Sequence, residues 1–321
     1  MRAADPRSSG LSTDERMVFD ALPTRPQVTW PGGRTVAVWH APNVEHYDYI
    51  APGSGPGGPQ GRTPAPDVQH YMHRDAGNRV AFKRMLRAVD RYAIPSTVSL
   101  SLSILEEHPE IRDEMLSRDW EVMSHGISNL RPIYDLSYDE EDEFLELSQR
   151  LSETYYGGRR IKGMLGPKIS GTDDTADLMS KHGMTYHADW IHDEQPRPLR
   201  VGGEAAGRLV SMPYSFIVND VPLLVAKHFD GPGMVELAKA QISRLLRDAE
   251  KDGQGRVACI ATHPFVSGQP GVSRYLEEIF DFLRSDDRLW ITRAGDIADH
   301  YLENHYDEQL AHAELRKDVL A

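Results

Sequence analysis

The sequence predicts an α/β fold in which parallel strands are joined by helical crossovers, as a barrel or a doubly wound sheet. Two observations predict it. Strand and helix patterns alternate along nearly the whole chain, giving about seven strands. Polar residues at Glu45, His125, Lys168, Asp189 and His263 then fall at the carboxyl ends of successive strands. On a barrel those ends form one rim, where the connecting loops meet and active sites are built. No internal repeat competes with this reading.

Taken in order, residues 1–29 read as a polar amino-terminal arm with one short helix near Asp14 to Ala21, and 30–321 as a single barrel domain. Arg34 to Trp39 is a strand, β-branched and apolar after Gly32-Gly33. It runs into Asn43-Val44-Glu45. Residues 51–67 are rich in Gly and Pro and read as a loop over the site. Asn78 to Tyr92 has helical periodicity, with Val80, Met85, Leu86 and Val89 as its apolar stripe. Ile94 to Leu100 is a strand, followed by short helices at Ser103 to Glu107 and Glu110 to Ser117. Glu121-Val-Met123 is a strand that delivers His125. Ser137 and Glu140 form a capping-box pattern that opens a helix to Tyr155. Strands at 161–165, 184–188, 209–212, 256–261 and 289–292 alternate with helices at 172–182, 234–251, 273–285 and 294–304.

Composition narrows the function. The net charge of −13 opposes binding to nucleic acid or to anionic membranes, and no apolar run is long enough to span a bilayer. Cys259, the single cysteine, excludes an internal disulfide framework and fits a reducing compartment. The first ten residues lack the apolar stretch of a secretion signal. The expectation is a cytoplasmic protein acting on a small molecule.

Four groups of residues carry chemistry. His125 and Asn129 are four apart, so one helical turn would place both on one small ligand. Gly126 between them lets a backbone or ligand approach. Glu45, ending the first strand, is a metal ligand or a base for water. Asn43 cannot take a proton. His263 ends a buried strand and reads as a general acid/base, since imidazole titrates near neutrality. Asp189, Asp193 and Glu194 read either as a solvated acidic turn or as carboxylates that orient a histidine. His40, His46, His70 and His73 read as solvated residues around the loop, and Cys259 as a small core residue.

Six ordered blocks resemble the polysaccharide deacetylase superfamily, within it the branch of metal-independent allantoinases and cyclic imide hydrolases. They are Val38-Trp-His-Ala-Pro-Asn-Val-Glu45; Gly77-Asn-Arg79-Val; Glu121-Val-Met-Ser-His125-Gly; Tyr186-His-Ala-Asp-Trp-Ile-His-Asp193-Glu-Gln-Pro196; Met212-Pro-Tyr-Ser with Asn219-Asp220; and Thr262-His-Pro with Gly268-Gln-Pro-Gly271, then Trp290-Ile-Thr-Arg. The resemblance implies a distorted (β/α) barrel with about seven parallel strands. It places Asn43 where the family has a basic aspartate, Glu45 at the acidic metal ligand, and His125 and Asn129 at a histidine pair. Two of those positions depart from the family. Zinc prefers three good protein ligands, so the resemblance implies no firm cofactor and at most a weakly held divalent ion such as zinc on Glu45, His125 and Asn129. It also implies a homo-oligomer.

The expected function is hydrolysis of a C–N bond in a small cyclic amide, imide or ureide. Water attacks the carbonyl, activated by Glu45 or by an ion on Glu45, His125 and Asn129, and His263 protonates the leaving nitrogen. Asn43 and Asn219 hydrogen-bond the substrate, Arg79 or Lys168 adds positive charge, and Trp190 shapes the pocket. Removing His263 or His125 should then abolish turnover with little effect on the melt. Two alternatives stand beside this: a metal-dependent N-deacetylase of an amino sugar or other acetylated amine, and a non-catalytic binding protein on the same fold.

Overall fold

The computed structural model describes residues 5–17, 19–50, 66–203 and 207–320. Most of the expected loop at 51–67 lies outside them. The described strands are β1 (Val36–Val44), β2 (Thr97–Leu100), β3 (Glu121–Ser124), β4 (Gly163–Met164), β5 (Tyr186–His187), β6 (Arg197–Leu199), β7 (Leu209–Ser211), β8 (Arg256–Thr262) and β9 (Leu289–Thr292). They form one sheet in the order β6-β7-β5-β4-β3-β2-β1-β8, with β9 also on β1. Every pairing is parallel except β6 with β7. Asn219 bridges Ala261 of β8, which brings the segment after β7 back to the far side of the sheet. The result is a distorted, incompletely closed (β/α) barrel, as the sequence predicts.

Strand alternation divides the core in two. Ala37, Trp39 and Ala41 of β1, Met123, Leu165, Tyr186, Val210 and Cys259 fill the barrel interior. Val36, Val38, Val98, Leu100 and Val122 face the helices and meet Phe82, Met85 and Leu86. Continuing each inward row past its strand end reaches Asn43 and Glu45 after Ala41, His125 after Met123, and His263 after Ala261. One parity thus aims four polar residues at one mouth.

The helices follow their patterns with two instructive exceptions. Ser137 and Glu140 cap the helix Tyr138–Tyr155 reciprocally, as the pattern requires. The stripe over Asn78 to Tyr92 is broken, because Gly77–Ala81 is a π-helical turn between the α-helices Val68–Ala76 and Phe82–Arg91. The extra residue in that turn shifts the phase by about 100°. Val80, expected in the stripe, is therefore exposed at 59%. Helix Val68–Ala76 buries no residue, so apolar periodicity had nothing to report.

The amino-terminal segment is stitched to the barrel. Thr13–Glu15 and Leu22–Thr24 are single 3₁₀ turns rather than the expected helix. Arg16 is 1% exposed and makes a two-pronged contact with Asp177, at 2.7 and 2.9 Å. Arg25 pairs with Asp193 at 2.6 Å. The acidic turn after β5 therefore anchors this segment: Asp193 holds Arg25, and Glu194 meets Arg256 at 3.1 Å. Arg16→Ala leaves a buried carboxylate with one partner fewer, an expected loss of about 3–5 kcal/mol in a urea titration. A loss within the ordinary surface range of about half a kcal/mol would show the pair to be idle.

Candidate active site

Glu45, His125 and His263 meet at the mouth of the barrel. Glu45 Oε1 lies 3.4 Å from His125 Nε2 and 3.9 Å from His263 Nε2. All three are buried, at 8%, 4% and 7% exposure. The remaining bonds of Glu45 are filled by neighbours. Tyr47 donates its hydroxyl to Oε2 at 2.7 Å and Asn129 donates its side-chain amide to Oε1 at 2.9 Å. Burial alone would raise the Glu45 carboxyl. The His125 hydrogen bond, the charge of His263 and the Tyr47 hydroxyl outweigh it and hold the pKa down, at about 2. Tyr47 moves the opposite way: burial, then the charge of Glu45, pushes its phenol well above the usual range, so it stays a donor.

Each imidazole is fixed by its other nitrogen. His125 Nδ1 lies 2.8 Å from the Leu165 carbonyl, which can only accept, so Nδ1 donates to it, and Nε2 faces Glu45 Oε1. His263 Nδ1 lies 2.6 Å from Asp220 Oδ1. Asp220 Oδ2 accepts from His263 N at 2.7 Å, Ser267 Oγ at 2.6 Å and Ser267 N at 3.2 Å. Burial pulls the His263 pKa down, but the charge and hydrogen bond of Asp220, with the charge of Glu45, raise it above the ordinary imidazole value. Nε2 is left facing the mouth as a proton carrier.

Other expected site residues stand elsewhere. Asn43 is buried at 1%, and its amide donates to Ala41 O, Thr262 O and Tyr214 Oη at 3.0–3.2 Å. Asn219 donates to Ser215 O at 3.2 Å and Tyr214 Oη at 3.4 Å, and accepts from Val221 N. These two amides spend their donors on Tyr214 and on backbone carbonyls. Arg79 points to solvent and pairs with Asp75, because the π-turn rotates it off the inner face. Lys168 is exposed in a left-handed turn, at φ 57°. Trp190 donates to His187 Nδ1 at 3.0 Å and lines a separate hollow of about 290 Å³ with Arg16, His187 and Asp189. His187 and Asp189 sit on the outward parity of β5, opposite Tyr186 and Ala188. Their facing atoms are 3.2 Å apart yet lack hydrogen-bond geometry. His40 is not solvated. It is wedged between Ser96 Oγ and Thr262 Oγ1, at 2.8 and 2.9 Å, and burial lowers its pKa to about 3.

The residues that sequence reasoning missed come from the polar helix Val68–Ala76 and its π-turn. Asn78 donates to the Glu45 carbonyl at 2.8 Å. The Arg74 guanidinium stacks 3.7 Å from the Phe265 ring centre and 5.1 Å from that of Tyr47, and its buried Nε has no hydrogen-bond partner among the described residues. Gly77 is what lets this helix close on the His263 turn. A Cβ there would lie 2.7 Å from Phe265 Cβ and 2.8 Å from its backbone nitrogen. Backbone cannot yield as a flexible side chain can, so Gly77→Ala should cost about 1–3 kcal/mol of stability and lower turnover with it. A variant with wild-type melt and turnover would show the contact to be slack.

The metal set implied by the family does not fit here. Glu45 and His125 are strong donors, but Asn129 turns its NH₂ toward Glu45 and Tyr47, leaving Oδ1 buried without a partner among the described residues. An amide donor hydrogen occupies the direction a third ligand atom would need, and zinc sites want three good protein ligands.

Residues 64–187 match the polysaccharide deacetylase family model. That stretch is similar to a polysaccharide deacetylase domain. Removing an acetyl group from an amine breaks an amide C–N bond, which is the reaction the matched family's name describes. A Schizosaccharomyces pombe protein that carries the polysaccharide deacetylase name is 21% identical over 243 residues, covering 71% of this chain and 75% of its own. Among solved structures, PuuE allantoinase superposes with a TM-score of 0.75 at 19% identity, over 87% of this chain and 94% of its own. The structure of a probable polysaccharide deacetylase from Pseudomonas aeruginosa gives 0.73 at 21% identity, over 87% and 95%. At these identities the structures establish the fold alone.

Proposed function

We propose that the protein hydrolyses a C–N bond of a small cyclic amide, imide or ureide without a catalytic metal. The observation that carries this reading is the Asp220–His263 pair beside Glu45, at a mouth where Asn129 stands in the third ligand position. In this reading His263 Nε2 takes the proton of the attacking water and returns it to the leaving nitrogen. A carboxylate held as low as Glu45 is a poor base for water. Its part is to keep both imidazoles facing the substrate and to balance their charge. Asp220 is a positioning residue that fixes the His263 tautomer. Arg74 supplies the positive charge for the developing oxyanion that the sequence assigned to Arg79 or Lys168. The structural likeness to PuuE allantoinase supports the cyclic substrate.

The second reading, an N-deacetylase of an amino sugar or other acetylated amine, draws support from the family model and from the names of its relatives. A panel of cyclic imides, ureides and acetylated amines separates the two. Ring opening without acetate release supports the first reading, acetate release the second, and no product from any compound supports the non-catalytic alternative. Among the described residues no helix is long and apolar enough to cross a membrane. We place the protein in the cytoplasm on its single, buried Cys259, and read Phe216, Ile217 and Phe229, exposed beside the Asp220 turn, as a face for a second copy.

A further inference from the structure

We infer that His46, Glu107 and His108 form a binding site for a divalent first-row transition ion, separate from the Glu45, His125 and Asn129 set. One ligand atom from each lies within 4.8 Å of the other two. His46 Nδ1 and Glu107 Oε2 are already 3.5 Å apart. A tetrahedral ion with bonds of about 2.0–2.1 Å separates its ligand atoms by roughly 3.4 Å, so one edge of the site is formed. The other two edges close by little more than an ångström. Both of those edges end on His108, so a rotation of its ring supplies that movement, and Glu107, 52% exposed, can follow it. Two imidazoles and one carboxylate, with a fourth position open to water, suit zinc, nickel, cobalt or copper rather than calcium or magnesium.

The two histidines are held at the backbone, so binding needs only side-chain adjustment. The His46 carbonyl accepts from Asn129 N at 2.9 Å and from Ser128 Oγ at 3.3 Å. His108 N donates to Ile104 O at 3.0 Å, and His108 O accepts from Ile111 N and Arg112 N. Glu107 ends the short helix Ile104–Glu107 that follows β2, and His46 follows Glu45 at the exit of β1. An ion here ties the exits of two neighbouring strands together. It would hold the segment that carries Glu45 and Tyr47, and it takes no part in the bond-breaking step.

The test is zinc titration of chelator-treated protein, by calorimetry and by thermal melting. The wild type should bind one equivalent and melt higher with zinc. His108→Ala and Glu107→Gln should each weaken binding at least about tenfold and lose the melting shift. Glu45→Gln combined with His125→Ala should bind as the wild type does. Absence of zinc binding in the wild type overturns the inference. So does unchanged affinity in both His108→Ala and Glu107→Gln, or loss of binding in the Glu45→Gln, His125→Ala protein while His108→Ala keeps it. The proposed hydrolysis stands or falls separately, since none of these readouts uses turnover.

Discussion

His263→Asn lowers turnover by about 10²–10⁴-fold, the range for loss of a positioned acid/base, while the thermal melt stays near that of the wild type. Asparagine can still donate to Asp220 Oδ1, now 2.6 Å from His263 Nδ1, but it carries no titratable nitrogen to the mouth. His263→Ala removes that donor as well. It should lose as much turnover and in addition destabilise the fold by about 1–3 kcal/mol, because Asp220 is fully buried. The sequence-based expectation of an intact melt therefore applies to asparagine and not to alanine. The pH profile follows from the same pair. With His263 acting on water in its neutral form, turnover falls as pH drops through its raised pKa, so the acid limb lies above the ordinary imidazole value. Asp220→Asn withdraws the charge that raises it, and the limb should move to lower pH along with the loss of rate. A limb that stays in place would remove Asp220 from its positioning role.

Glu45→Gln is the second large effect, an expected loss of about 10²–10³-fold in turnover with little change in the affinity for substrate. The amide keeps the shape but cannot balance two facing imidazoles, and it brings a donor hydrogen into contact with Asn129 Nδ2 or Tyr47. Stability gives an independent readout. The folded pKa of Glu45 is depressed, so its contribution is present above the unfolded value, near 4.5, and is lost as pH falls toward about 2. The wild type should lose more stability than Glu45→Gln between those two pH values. Equal acid sensitivity in the two proteins would mean that the carboxylate gains nothing from its neighbours.

The inward parity of β1, β3 and β8 made much of the site legible. Ala37, Trp39 and Ala41 lead to Glu45, Met123 leads to His125, and Cys259 and Ala261 lead to His263. The same rule applied to β5 would have removed Asp189, since Tyr186 and Ala188 hold the inward places. Arg74 and Asn78 were not legible, because their helix has no buried face and its π-turn shifts the phase by one residue. Asn43 and Asn219 were found as polar residues at the mouth, but no pattern of letters says that Tyr214 and nearby backbone carbonyls consume their donors. Asp220 was visible only as the neighbour of Asn219. Its role depends on the bridge from Asn219 to Ala261 that carries it to the end of β8.

The most direct measurement is hydrolysis of the imide, ureide and N-acetyl panel by chelator-treated protein whose metal content has been assayed. The account predicts opening of a ring amide at a rate that chelation leaves within a few-fold and that His263→Asn abolishes. Acetate release that vanishes on chelation and returns with zinc, while Asn129→His raises it further, would contradict it.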